Sequence, residues 1–362
     1  MRLGVGAALV DGSLVLGDVD VADGHIAGVG LSSSNGTGIA APGFVDLQVN
    51  GFAGVDFFSA DAEGYRKAGE ALLECGVTAY QPTFITSPED ELTAALSEVP
   101  QNGSAPHIIG AHLEGPFIAP ERLGTHPAES RRDPDCGLLE RLLAAGPVSH
   151  VTLAPELQGA YELMELLRQR GVTVSCGHSN ATAAEAREAF ARGAKTVTHI
   201  FNAMRPLAAR EPGLAGAALF SPDVIVQVIL DGVHLADDTA RLIWQAAPGR
   251  VALVTDAIAA AGAGDGSYTL AGVDFDVENG VARRAGGVLA GSTVPMIEAV
   301  RNLVALGAPV DAALSAATEV PARIAGRPDL AKLQPGARAD VIVLDESLEI
   351  VRVLVGGEDA VG

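Results

Sequence analysis

Residues 172–200 read VTVSCGHSNATAAEAREAFARGAKTVTHI, and this stretch carries the pattern that decides the fold. Val172–Gly177 is a short β-rich run, and Thr196–Ile200 is a second run of the same kind. Between them Ala183–Arg192 favours a helix, which the following Gly193 is suited to end. The stretch therefore predicts a strand, a helix and a second strand.

The same alternation of β-rich runs and helical stretches fills the middle of the chain. It comprises eight runs: Phe44–Asn50, Val77–Thr83, His107–Glu114, Val151–Pro155, Val172–Gly177, Thr196–Ile200, Val224–Leu230 and Val251–Thr255. Eight strand–helix units predict a closed (β/α)₈ TIM barrel, or alternatively a doubly wound open sheet. In a barrel the active site lies at the carboxyl ends of the strands, so polar residues there are the candidates for chemistry.

Both ends of the chain are strand-like and lack helices. Asp11-Gly12 and Asp23-Gly24 lie between apolar runs and predict hairpin turns, and residues 339–355 are again β-rich. We therefore expect residues 1–41 and 334–362 to pair into a small β-sandwich domain, with the barrel over residues 42–333. The segment from Asp265 to Gly287 predicts an extra strand pair after the eighth run.

Charge and composition exclude several classes of protein. Among the 362 residues 48% are hydrophobic and 19% are charged, which excludes a disordered chain. A net charge of -21 argues against nucleic acid or an anionic membrane as a partner, and no apolar tract reaches membrane-spanning length. Three cysteines without CxxC spacing, and a start without signal-peptide features, predict a cytoplasmic location.

Four chemically useful side chains stand at the ends of predicted strands. Glu114, His178 and His199 offer one oxygen and two nitrogens, which suits one divalent ion such as Zn²⁺. Asp256 could then take a proton from an activated water and later protonate a leaving group. Taken singly, such a histidine is more often a surface or core residue, and such an aspartate a helix N-cap. The convergence of all four at one rim favours the metal site.

Three further candidates are weaker on spacing alone. His126 and His234 lie in loops next to the predicted mouth, and a loop histidine without a role explains each of them equally well. Arg210 stands next to Glu211, and such a pair is usually solvated.

Several motifs, read together, resemble a known family. They are Pro42–Asp46, His112–Phe117, Gly177–Thr182, Thr198–Met204, Arg210–Gly213, Asp231–His234, Val254–Ala257, Leu289–Ser292 and Pro335–Asp340. In this order they resemble the amidohydrolase superfamily, and within it the N-acetylglucosamine-6-phosphate deacetylases, over nearly the whole chain. The resemblance implies the closed barrel rather than the open sheet.

The resemblance also implies a role for each candidate residue. Glu114, His178 and His199 match the metal ligands of the family, and Asp256 matches its catalytic acid and base. Further matches are Asn202, Ala203 and His234, which hold the sugar and its phosphate; Arg210, which reaches the phosphate from the neighbouring subunit of a homodimer; and His126, near the reacting end of the substrate. An arginine and two histidines at the mouth would give an acidic protein a local cationic pocket.

Two positions depart from the patterns of the relatives. Many superfamily members carry His-x-His at the end of the first strand and bind two metals, whereas this chain has Gln48-Val49-Asn50. Amides are poor ligands, so we expect this second-metal position to be weak or empty. Leu123 replaces a lysine of several relatives, and the adjacent Arg122 is the candidate to substitute for it.

The expected reaction is hydrolysis of the acetamide of N-acetylglucosamine 6-phosphate to glucosamine 6-phosphate and acetate. Asp256 would act as the base and then the acid, and His126 would help to stabilise the oxyanion. The alternatives are the N-acetylgalactosamine 6-phosphate isomer, an N-acyl amino acid, or a non-catalytic binding relative. Of these, retention of all four strand-end residues disfavours the non-catalytic one.

Overall fold

The first five strands fold as two hairpins and a return strand. In a computed structural model that describes residues 1–32, 36–101 and 105–361, they are β1 (Ala7–Val10), β2 (Ser13–Leu16), β3 (Asp18–Ala22), β4 (His25–Leu31) and β5 (Ile39–Pro42). Both residues of each turn, Asp11-Gly12 and Asp23-Gly24, have positive φ. This is the two-residue hairpin geometry that Asp-Gly favours, and the predicted turns are confirmed.

The centre of the molecule is a closed parallel barrel. In chain order the strands of this region are β6 (Phe44–Val49), β7 (Gly51–Phe52), β8 (Val55–Asp56), β9 (Val77–Ile85), β10 (His107–Ile108), β11 (Ala111–Glu114), β12 (Val148–Leu153), β13 (Thr173–Cys176), β14 (Thr196–Val197), β15 (Ile225–Val228) and β16 (Val251–Leu253). β7 and β8 form a small hairpin, and the others pair in parallel around the barrel. A parallel bridge between Val49 and Ala257 brings the first barrel strand beside the eighth. The closed (β/α)₈ barrel is therefore confirmed, and the open sheet is excluded.

The third predicted run is one strand in sequence and two in the structure. β10 and β11 both pair with β9, and Ile109 and Gly110 separate them. Gly110 has a φ of 126°, and a Cβ there would lie 2.5 Å from Ser149 Oγ and 2.6 Å from the Pro147 carbonyl oxygen. Only glycine fits at this kink, which sets the direction of β11 and therefore of Glu114 at its end.

Ten α-helices accompany the strands in the described ranges of the chain. They are α1 (Ala62–Glu74), α2 (Glu89–Ser97), α3 (Cys136–Ala145), α4 (Ala160–Gln169), α5 (Ala183–Ala191), α6 (Gly213–Leu219), α7 (Asp237–Ala246), α8 (Met296–Ala305), α9 (Val310–Ala317) and α10 (Glu319–Ile324). α5 begins with a capping box in which Thr182 and Glu185 bond each other's backbone N–H, and it ends one residue before the predicted Arg192. Within the described residues, no helix is long and apolar enough to span a bilayer.

The segment after the eighth barrel strand holds three strands instead of the predicted pair. β17 (Gly266–Leu270), β18 (Val273–Glu278) and β19 (Val281–Arg283) form an antiparallel sheet. The third strand has only three residues, too few to show an alternation in sequence. Apolar side chains of this sheet pack on Ile85 and Ile258, next to the carboxyl ends of the barrel strands.

Both ends of the chain meet in one sheet. β20 (Val341–Leu344), β21 (Ile350–Val355) and β22 (Glu358–Val361) complete a six-stranded sheet in the order β2-β1-β5-β20-β21-β22. A separate core that includes Val5, Val19, Ile26 and Val341 lies between this sheet and the β3–β4 hairpin. The predicted small β domain is confirmed as part of the fold, while its boundaries at residues 41/42 and 333/334 stay a prediction.

Below the strand ends the interior of the barrel is polar. The rings of His112 and His150 stack with centroids 4.2 Å apart, and His112 Nε2 lies 2.7 Å from Thr152 Oγ1. Burial lowers the pKa of His112 to about 4, so this ring is neutral at neutral pH. The layer ties β11 to its neighbour β12 directly beneath Glu114.

Candidate active site

One cavity opens at the carboxyl ends of the barrel strands. Its empty volume is about 710 Å³. It is lined by Asn50, Ile85, Glu114, Gly124, Thr125, His126, His178, His199, Asn202, Ala203, Ile229, His234, Asp256, Leu270 and Val288–Gly291. The location is that of active sites in barrels of this type. Nine of the predicted site residues line this cavity: Asn50, Glu114, His126, His178, His199, Asn202, Ala203, His234 and Asp256.

A carboxylate and two imidazoles converge at the floor of the cavity. Glu114 ends β11, His178 follows β13 by two residues, and His199 follows β14 by two residues. Their ligand atoms all lie within 4.8 Å of one another, and all three residues are buried. Glu114 Oε1 lies 3.2 Å from His178 Nε2 and 2.8 Å from His199 Nε2.

The backbone at these strand ends is unusual in the same way at three positions. His178, His199 and Asp256 all have positive φ, at 46°, 29° and 51°. Residues other than glycine rarely adopt this conformation, and it is common where a site requires a side chain to point away from the normal strand direction. At each of the three positions, the positive φ turns the side chain over the open end of the barrel.

The donor set at the floor fits a divalent metal ion. His178 Nδ1 donates to the Arg122 carbonyl oxygen at 2.8 Å, so Nε2 is the nitrogen that faces Glu114 and that can bind a metal ion once it has lost its proton. His199 Nδ1 is buried and has no hydrogen-bond partner among the residues that the structure describes. One carboxylate oxygen and two imidazole nitrogens are ligands that Zn²⁺ and similar ions accept.

The negative charge of Glu114 is stabilised by neighbouring imidazoles. Burial alone would raise its pKa, but the charge of His178 and the hydrogen bonds from three imidazoles hold it well below its usual range. The carboxylate is therefore ionised and available as a ligand.

Asp256 lies across the cavity from this cluster. Its Oδ1 accepts a hydrogen bond of 2.7 Å from Asn50 Nδ2. Burial, together with the negative charge of Glu114, raises the pKa of Asp256 to about 6. A carboxylate with such a pKa can take up and release a proton near neutral pH.

His126 lies in the wall of the cavity. Its Nδ1 accepts from the Thr86 backbone N–H at 3.3 Å and lies 2.8 Å from Thr86 Oγ1. Burial and the charge of His178 lower the pKa of His126 to about 4, so the ring is neutral. The proton therefore resides on Nε2, which lies 3.5 Å from Glu114 Oε2 and can donate into the cavity.

At the outer part of the cavity lie Asn202, Ala203 and His234. His234 Nδ1 lies 2.7 Å from Asp231 Oδ2, which fixes the ring. Although burial opposes it, hydrogen bonding and the charge of His234 lower the pKa of Asp231 to about 2. Asn202 Nδ2 is a buried donor without a partner in the described part of the chain, so it is free to bind a ligand.

Arg210 and Arg122 are not brought to this cavity. Arg210 is exposed, and the described residues that line the cavity do not include it. The guanidinium of Arg122 donates to Asn180 Oδ1 at 3.2 and 3.0 Å. Substitution of Arg122 for the absent lysine at Leu123 stays a prediction.

Sequence reasoning missed two residues that shape the site. Thr86 follows β9, which runs two residues beyond the predicted Thr83, so a later strand end would have indicated it. Arg284 donates to the Thr125 carbonyl oxygen at 2.9 Å and ties the three-stranded insertion to the loop of His126. Their separation of 159 residues left no local signal for this contact.

A barrel with three possible metal ligands at its strand ends is typical of metal-dependent hydrolases, and a family model that matches most of the chain agrees with this class. The chain belongs to the amidohydrolase family, whose model matches residues 39–359. It is 38% identical over 340 residues to the mouse N-acetylglucosamine-6-phosphate deacetylase, covering 88% of this chain and 83% of the relative. It is 37% identical to the N-acetylgalactosamine-6-phosphate deacetylase of Escherichia coli O157:H7, covering 88% and 87%.

Solved structures agree with these sequence matches. The N-acetyl-D-glucosamine-6-phosphate deacetylase of Mycobacterium smegmatis is 37% identical, with a TM-score of 0.94 over 100% of both chains. The corresponding enzyme of Thermotoga maritima is 30% identical, with a TM-score of 0.91 over 100% of this chain and 99% of that one. The predicted family is confirmed, and the chain is a hydrolytic enzyme.

Proposed function

We propose that this chain hydrolyses the acetamide bond of N-acetylglucosamine 6-phosphate and releases acetate and glucosamine 6-phosphate. The observation that carries the proposal is the placement of Glu114, His178 and His199 opposite Asp256 in one cavity. Relatives at 37–38% identity are named as deacetylases of N-acetylated hexosamine 6-phosphates, which supports the same substrate class.

Glu114, His178 and His199 would hold one divalent ion, which we propose to be Zn²⁺. An ion of this kind lowers the pKa of a water molecule and polarises a carbonyl group. The hydrogen bond from His178 Nδ1 to the Arg122 carbonyl oxygen fixes that ring with Nε2 toward Glu114. Gln48 Nε2 donates to Glu114 Oε1 at 3.1 Å and helps to hold the carboxylate in place.

Asp256 and His126 would carry out the proton chemistry. The Asp256 carboxylate takes a proton from the attacking water and returns it to the amine as the C–N bond breaks. The neutral His126 donates from Nε2 toward the carbonyl oxygen, where negative charge develops during attack. Thr86 fixes the tautomer of His126 by donating its backbone N–H to Nδ1.

The sugar phosphate would lie in the outer part of the cavity, against Asn202, Ala203 and His234. We propose that the protein is a homodimer and that Arg210 of the partner subunit completes the phosphate site. The exposure of Arg210 outside its own cavity supports this arrangement. A local cationic group there would offset the repulsion between an anionic substrate and a chain of net charge -21.

We also propose a cytoplasmic location. Cys75, Cys136 and Cys176 are all free cysteines in the described ranges of the chain. Absence of disulfides in the described residues is typical of reducing compartments.

Activity against matched substrates tests the proposed reaction. We expect acetate release from N-acetylglucosamine 6-phosphate, with at least about 100-fold lower kcat/KM for unphosphorylated N-acetylglucosamine, because charge-assisted contacts to phosphate contribute about 1.5–3 kcal/mol each. Coupled assays for acetate measure the activity on each sugar, and repeating them after chelation and after Zn²⁺ is added back measures the dependence on metal. Preference for N-acetylgalactosamine 6-phosphate would change the isomer, and activity on an N-acyl amino acid alone would overturn the substrate class.

A mixed dimer tests the role of Arg210. We expect Arg210→Ala to lower kcat/KM by about 10- to 100-fold through KM, since it removes one charge-assisted contact. Coexpression of Arg210→Ala with Asp256→Asn chains should restore roughly a quarter of wild-type activity, because half of randomly formed dimers are mixed and each holds one intact site. If Arg210 acted within its own chain, coexpression would restore nothing. Differently tagged chains allow the mixed dimer to be isolated.

A further inference from the structure

Two amide side chains at the end of the first barrel strand each donate to one carboxylate of the site. Asn50 Nδ2 donates to Asp256 Oδ1 at 2.7 Å, and Gln48 Nε2 donates to Glu114 Oε1 at 3.1 Å. Gln48 is fully buried, and Asn50 is 2% exposed. The two acids whose geometry governs the proposed reaction are thus held from one strand end.

The strand end itself is firmly fixed. The Asn50 backbone N–H donates to the Ala257 carbonyl at 2.7 Å, next to Asp256 in sequence. The Val49 backbone N–H donates to Thr83 Oγ1 at 3.1 Å. Both amides therefore project from a rigid part of the barrel, where side-chain direction is closely defined.

The acceptor side of both amides is unused. Gln48 Oε1 and Asn50 Oδ1 are buried and have no hydrogen-bond partner within the described residues. Two buried acceptors without partners cost stability, since each loses its hydrogen bond to water. By contrast, the N–H₂ group of each amide donates to a carboxylate. The arrangement therefore indicates that the two amides serve as hydrogen-bond donors and do not merely fill space.

We propose that Asn50 is a positioning residue for Asp256, and Gln48 one for Glu114, in the reaction given under Proposed function, on which this inference rests. An amide N–H₂ can only donate, so each side chain holds its acid in one rotamer with an acceptor oxygen toward the strand. Hydrogen bonds from neutral donors therefore order the two acids here.

Replacement of Asn50 tests the proposal in the full-length protein. Asn50→Ala should lower kcat for N-acetylglucosamine 6-phosphate by about 10- to 100-fold, the usual effect of removing a group that orients a site residue. KM should change less than about twofold, and the metal content, measured by plasma mass spectrometry, should equal that of the wild type. A crystal structure of the variant should show the Asp256 carboxylate rotated away from its wild-type direction.

Asn302→Ala is the matched control. Asn302 is a half-buried amide whose Nδ2, like that of Asn50, donates to a single oxygen, here the Leu230 carbonyl at 2.9 Å, but it lies outside the cavity lining. It should change thermal stability without changing kcat.

Three results would overturn the proposal. A raised KM with unchanged kcat in Asn50→Ala would make Asn50 a substrate contact, and loss of metal would make it a ligand. An unmoved Asp256 in the crystal structure would remove the positioning role whatever the activity. If the wild-type protein itself shows no deacetylase activity, the proposed function fails instead, and the crystallographic comparison still decides whether Asn50 orders Asp256.

Discussion

Asp256→Asn is expected to abolish turnover of N-acetylglucosamine 6-phosphate while the bound metal stays in place. General acid–base catalysis contributes roughly 10²- to 10⁴-fold, and this residue is proposed to act in both directions. An amide oxygen at this position can still accept the hydrogen bond from Asn50 Nδ2, so the local geometry should persist. Single-turnover kinetics and metal analysis of the same preparation measure the two properties together.

Asp18→Asn is a suitable control for the loss of a buried carboxylate. Asp18 is 4% exposed, accepts three backbone N–H groups in the terminal β domain and does not line the cavity. Its replacement should lower stability and leave kcat unchanged. Turnover by Asp256→Asn within about tenfold of wild type would contradict the acid and base assignment, because the loss expected from general acid–base catalysis is larger.

The residues of the floor were predictable because strand ends can be read locally. Glu114, His178 and His199 each follow an apolar run, and closure of the barrel brings all carboxyl ends to one rim. This held even for β14, which has only two residues in the structure. The prediction needed only the order of the runs along the chain, and errors in their lengths did not affect it.

Contacts between distant side chains were beyond such reasoning. The Asn50–Asp256 hydrogen bond joins residues 206 positions apart and depends on how β6 registers against the end of β16. Periodicity indicates which residues form a strand, but the stagger of a closing barrel and the rotamers at its rim follow from packing of the whole. For this reason the amides were predicted, from the resemblance, only as a second-metal position that is weak or empty.

The insertion after β16 shows a second limit. Its third strand is too short to carry a pattern, and Arg284, just beyond it, contacts Thr125 through a backbone oxygen. A backbone acceptor has no signature in sequence, since every residue carries one. The tie between this insertion and the His126 loop is therefore a property of the folded chain alone.

Glu114→Gln should remove both metal and activity. The carboxylate is the only anionic group among the three proposed ligands, and an amide oxygen is a far weaker ligand beside two imidazoles. Loss of groups that merely support a metal site costs about 10- to 100-fold in affinity or activity, so loss of a ligand should cost at least 100-fold. Equilibrium dialysis against Zn²⁺ and the acetate assay provide the two measurements.

Glu319→Gln is the control that distinguishes the loss of a metal ligand from a general effect of a Glu→Gln replacement on the fold. Glu319 is a half-buried glutamate that accepts the Gly12 backbone N–H at 2.7 Å, away from the cavity, so its replacement should leave metal content intact. The contrast with Asp256→Asn is equally informative, because that variant should lose turnover alone. Full metal content in Glu114→Gln would exclude Glu114 as a ligand, and His178 and His199 would then need a different third partner.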